Sequence, residues 1–79
     1  MPSYLFLWDP ETEEHLAQHG VTQAEFEEVV SNPDSVGDSR STGRPIAFGY
    51  TSSGKYLACV YELVDDDTVL PVTAYEVED

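Results

Sequence analysis

The chain reads as a single α+β domain, on three observations. Helix start and stop signals are confined to residues 10–33, strand-like runs separated by turns fill 36–77, and one more strand-like run precedes the helices. This β-α-α-β-β-β-β order segregates two helices from a four-strand antiparallel meander, the pattern of α+β architecture. Its 79 residues suffice for one domain, 1–79, without a linker, repeat or low-complexity segment. A domain this small buries only about 60% of the surface its unfolded chain exposes, so its core is thin.

The first run, Tyr4-Leu5-Phe6-Leu7-Trp8, is aromatic and apolar and predicts a strand. It ends at Asp9-Pro10, a capping residue followed by a proline suited to the first helical position, and the helix it opens runs over 10–19 to a stop at Gly20. The second helix has the clearest start. Thr22-Gln23-Ala24-Glu25 is a capping box, flanked by Val21 and Phe26 at the positions of a hydrophobic staple. Phe26, Val29 and Val30 form its apolar face, and Asn32-Pro33 ends it.

Strands and turns follow. Residues 36–40 predict a weak strand and 41–43 a turn. In 45–51, Ile46, Phe48 and Tyr50 alternate with Ala47, Gly49 and Thr51, the period of a strand with two different faces. A turn at 52–54 leads to the long apolar run 55–64, expected at the centre of the sheet. Asp65-Asp66-Asp67 is an acidic turn, and 68–77 is the last strand, in which Pro71 predicts an edge position or a bulge.

The net charge is -13, and its distribution is informative. Residues 1–39 carry nine acids and no Lys or Arg, 56–79 carry seven acids and no base, and all three bases, Arg40, Arg44 and Lys55, lie between them. Such a surface repels nucleic acid and anionic lipid at long range, so a bound anion must find the 40–55 segment. Solvation of an acidic face and adaptation to a high-salt cytoplasm are both consistent with this composition. The one cysteine, Cys59, sits in an apolar run and reads as a buried strand residue. No basic segment and long apolar run mark a signal peptide or a membrane span, so the cytoplasm is the expected compartment and no membrane partner is expected.

His15 and His19 have the i, i+4 spacing of a two-histidine metal site, with Glu11 one turn earlier, but the pairing reads better as one packing histidine and one near a helix C-terminus. The three aspartates 65–67 lack the spaced ligands of a calcium loop. No metal site is expected. Arg40 and Arg44 flank one hairpin turn, Lys55 opens the strand after the next, and Tyr50, Tyr56, Tyr61 and Tyr75 lie on neighbouring strands. Guanidinium forks beside tyrosines form a platform for phosphate or a base. The competing reading has the same cations neutralising nearby carboxylates.

Several pieces recur in a recognisable order: Trp8-Asp9, Glu14-His15-Leu16, His19-Gly20-Val21-Thr22 with Glu25 and Glu28-Val29, and Asn32-Pro33. Arg40, Ile46-Ala47-Phe48-Gly49-Tyr50-Thr51, Gly54-Lys55-Tyr56-Leu57, Val60-Tyr61 and Val72-Thr73-Ala74 follow. Together they resemble BrnT-like proteins over nearly the whole chain. The resemblance implies a RelE-like domain and the toxin half of a type II toxin–antitoxin pair, a metal-independent ribonuclease that cuts mRNA without a cofactor and is neutralised by a small cognate antitoxin. Basic and aromatic side chains would hold the RNA phosphate and stabilise charge as the 2′-hydroxyl attacks. Arg40 and Arg44 fall where relatives bear basic residues. Tyr75 stands where relatives carry an arginine followed by a basic helix, so no C-terminal helix is expected here.

On the enzymatic reading Arg40, Arg44 and Tyr75 are the candidate catalytic residues, and Lys55, Tyr50 and Tyr61 bind substrate. With three cations against 16 acids, RNA is expected to bind weakly at ordinary salt. The alternative is a non-catalytic protein-binding module of the same fold, its acidic face complementary to a basic segment of a small DNA-binding partner. A homodimer is left open.

Overall fold

A computed structural model describes residues 4–40 and 42–77. Ser41 of the predicted first hairpin turn, and Glu78 and Asp79 after the last strand, lie outside the described residues. The elements are β1 (Leu5–Phe6), α1 (Pro10–Gln18), α2 (Gln23–Ser31), β2 (Ser35–Asp38), β3 (Pro45–Tyr50), β4 (Tyr56–Leu63) and β5 (Thr68–Glu76). Two helices thus pack on a five-strand mixed sheet of order β1-β5-β4-β3-β2. Neither helix is long and apolar enough to cross a membrane.

The helix boundaries follow the local signals. Asp9 caps α1 by accepting from Thr12 N–H at 2.9 Å. The chain leaves α1 through Gly20 at φ +75°, a left-handed conformation that a glycine adopts without steric cost. The capping box of α2 is complete: Thr22 Oγ1 accepts from Glu25 N–H at 3.1 Å, and Glu25 Oε1 accepts from Thr22 N–H at 3.0 Å.

The sheet departs from the expected four-strand meander in one respect. β2, β3, β4 and β5 pair antiparallel in sequence order, but β1 joins them as a fifth strand, parallel to β5. It is also shorter than 4–8. Leu5 and Leu7 donate to Asp67 O and Val69 O, and in a parallel ladder Leu7 O would next accept from residue 71. Pro71 has no N–H, so the ladder stops and the chain turns into α1. β5 is therefore an interior strand, and its proline is accommodated at a bulge. Val60 pairs with Thr73 and Tyr61 with Pro71, leaving Val72 as the extra residue.

One face of the sheet carries the core. Leu16 of α1, Val21, and Phe26, Val29 and Val30 of α2 pack on Ala47, Leu57, Cys59, Tyr61, Val69 and Ala74. Phe6 and Trp8 add rings to this cluster, meeting Phe26 edge-on at centroid separations of 6.3 and 5.3 Å. Trp8 Nε1–H donates to Glu27 Oε2 at 2.8 Å, which ties the end of β1 to α2. Strand β3 presents its small side chains here. A Cβ at Gly49 would stand 3.4 Å from both Asp34 N and Val29 Cγ1, so the absence of a side chain lets the end of α2 approach the sheet closely.

Candidate functional site

Strand alternation then sends the larger residues of β3 to the opposite face, which neither helix packs its buried residues against. Tyr75, Ala58 and Phe48 stand in one row across β5, β4 and β3, and Thr73, Val60 and Ile46 in the row beside it. Tyr50 and Tyr56 close the end of the face with ring centroids 4.6 Å apart, and Tyr56 stacks on Phe48 at 6.5 Å and 17°. Tyr50 is 58% exposed and Tyr75 44%, so both rings are available to a ligand. On β5, past the end of its pairing with β1, His15 Nε2 lies 3.0 Å from Thr73 Oγ1 and marks the border with α1.

The six residues singled out from the sequence do not form one cluster. Continuing the β3–β4 register sets Arg44 opposite Glu62 on the aromatic face, and Arg44 Nε lies 2.7 Å from Glu62 Oε1. Both side chains are more than one-third exposed, at 36% and 43%, so the pair contributes no more than about 1 kcal/mol to stability. Its consequence is local neutrality.

Lys55 is on the other side of the sheet. Its Nζ is 3.3 Å from Glu25 Oε2 and donates to Gly20 O at 3.0 Å, fastening the start of β4 to the helical layer. Tyr61 also points to the helical side and belongs to the core, so its ring has no free face for stacking. Burial raises its phenol above the ordinary value, and the neighbouring Tyr4 adds to the effect. Arg40 is exposed in the β2–β3 turn and makes no ion pair among the described residues. The expected single cationic window over 40–55 is thus divided: two bases are held by carboxylates on opposite faces, and Tyr61 is inside the protein.

On the helical side, Glu25 and Glu28 grip the β3–β4 turn. Glu28 Oε1 accepts from Ser52 N–H at 2.9 Å, and Glu25 Oε2 accepts from Ser53 Oγ at 3.4 Å. Burial pushes the Glu25 carboxyl up, but hydrogen bonds from the Thr22 backbone and from Lys55, with the Lys55 charge and Ser53, outweigh it and leave the group below the usual carboxylate range. Burial, with the Glu25 charge as a smaller cause, pushes the Cys59 thiol up to about 12.

Among the described residues, no group of three or more His, Cys, Asp and Glu side chains is gathered to hold a metal ion. The His15 and His19 rings instead meet edge to face, 4.9 Å between centroids. Sequence reasoning placed Phe48 and Tyr50 together but did not identify theirs as the uncovered face. The signal was the small set Ala47, Gly49 and Thr51, whose side chains alone leave room for α2. Glu62 was also missed, although it is the one acid inside the apolar run 55–64.

Neither a family model nor a curated protein matches the chain. Among solved structures, the chain is similar to the Brucella abortus ribonuclease toxin BrnT, known from a 1.1 Å crystal structure. The two superpose with a TM-score of 0.70 over 100% of each chain, at 17% sequence identity. This is a likeness of fold, and the architecture is that of a BrnT-like toxin.

Proposed function

We propose that this chain is the toxin-fold half of a two-protein toxin–antitoxin pair, and that it acts by binding a small, basic, DNA-binding antitoxin-like partner and does not cleave RNA. The observation that carries this reading is the separation of the cations: Arg44 is engaged by Glu62 and Lys55 by Glu25, on opposite faces of the sheet. A phosphodiester arriving at the aromatic face would have to displace Glu62 from Arg44 against a net charge of -13. A cationic protein segment meets no such obstacle. Glu11, Glu13, Glu14 and Glu28 are exposed on the helical layer, and that layer is the proposed landing surface for the partner's basic segment.

The test is co-expression with the product of the neighbouring gene, followed by affinity measurement at rising salt. A complex is expected that weakens at least about tenfold between 0.1 and 0.5 M NaCl, and that weakens further when Glu13 and Glu14 are changed to Gln. Absence of a complex with that product would remove this reading.

A second reading, metal-independent RNA cleavage, is favoured by one observation, the exposed Arg40, which makes no ion pair among the described residues. It would use Arg40, Arg44 and Tyr75 at the phosphate and Tyr50 to stack a base. Lys55 and Tyr61 take no part in it. Growth arrest on induced expression, relieved by Arg40→Ala or Arg44→Ala, is the outcome that would favour it.

A further inference from the structure

The aromatic face is locally neutral. The chain carries -13, yet the face across β3, β4 and β5 holds one acid, Glu62, and that acid is paired with Arg44. Lys55 and its partner Glu25 lie on the far side of the sheet, as does Glu28, which accepts from Ser52. The apolar surface also continues past the tyrosines. Phe6 packs on the core, so alternation puts Leu5 and Leu7, 61% and 42% exposed, on the outer side of β1. Five strands about 4.8 Å apart give the face a footprint on the order of 500 Å², the size of the largest apolar patch on an ordinary monomer, which is often functional.

From this we infer that a second copy of this chain covers the face, two sheets stacking front to front as a weak symmetric dimer. Charge selects the occupant. A basic partner is drawn to carboxylates, and these are on the helical layer and the turns. A neutral aromatic face is complementary to a surface as neutral as itself, and in a two-fold dimer the same patch meets its own copy. Stacked sheets bury such rings at a separation of about 10 Å, as in a sandwich core. The area is smaller than the roughly 800 Å² per partner of a standard stable interface, so the dimer is weak. Repulsion between the two acidic bodies opposes it, and salt relieves that repulsion.

The salt response separates this inference from the partner reading, on which it does not depend. Partner binding weakens as salt rises, whereas self-association strengthens. Sedimentation velocity of the full chain up to about 0.5 mM tests it, at about 0.1 M and 1 M NaCl. The expected result is a reversible dimer, about tenfold tighter at the higher salt. The double variant Tyr50→Lys, Tyr75→Lys is expected to weaken it at least about tenfold, because a buried ammonium without a partner is costly. Those lysines also reduce the net negative charge, so simple repulsion between acidic bodies predicts the opposite change.

Tyr50→Ser, at a side chain more than half exposed, is the second variant in case the double one does not fold, and it is expected to shift the equilibrium the same way. Glu13→Lys on α1 is the control and is expected to leave the dimer intact. A monomer at both salt concentrations, or a dimer indifferent to both tyrosine variants, would overturn the inference.

Discussion

Cys59, fully buried on β4, and Glu25, half-buried on α2 above the same face of the sheet, fare differently. Cys59 is fully buried with its thiol pushed up to about 12, so it carries almost no thiolate near neutrality. A thiol reagent at about pH 8 is therefore expected to label the native protein far more slowly than the denatured one, and comparable rates would contradict the packing of β4. Glu25 is held below the ordinary carboxylate range, so folding favours its ionised form. The stability this contributes is present above the unfolded value of about 4.3 and is lost as pH falls through the lower folded value. Glu25→Gln is expected to lower stability at neutral pH and to flatten the loss between about pH 5 and pH 3, measured by urea unfolding. An acid limb as steep as that of the unsubstituted protein would place the effect in other carboxylates.

The helices and the turns were legible because their instructions are local. The Asp9 cap, the Thr22–Glu25 box and the Gly20 stop each act within a few residues, and each appears in the structure where the sequence put it. Thr22→Ala removes one of the two box bonds and is expected to cost about 1 kcal/mol, a fall in Tm of about 4–8 °C for a domain of this size. A change below about 1 °C would mean that tertiary packing alone holds α2. The first strand was legible but its place as the fifth strand of the sheet was not, because β1 pairs with β5 across more than 60 residues and neither run announces the other. Pro71 gave half of the answer: it predicted an edge or a bulge, and the bulge is what a central strand requires. The ion pairs were hidden for the same reason as the place of β1. Arg44 meets Glu62 only through the β3–β4 register, and Lys55 meets Glu25 only once α2 lies over the sheet.

The molecule combines a fold similar to that of the BrnT structure with a strongly acidic surface that repels nucleic acid at long range. Its -13 charge is set against only two ion pairs among the described residues, so self-repulsion is weakly compensated within the fold. Thermal stability is accordingly expected to rise by several degrees between about 0.05 and 1 M NaCl, by calorimetry, and a flat response would mean that the acids are too dispersed to repel one another. The fold class and the acidic surface could be read from the sequence, while the division of the cations between two faces required the structure. That division is the centre of the functional account, and RNA cleavage by the purified protein, with and without Glu62→Gln to release Arg44, tests it most directly. The account predicts no cleavage by the unsubstituted protein. Cleavage that Arg40→Ala or Arg44→Ala abolishes would contradict it.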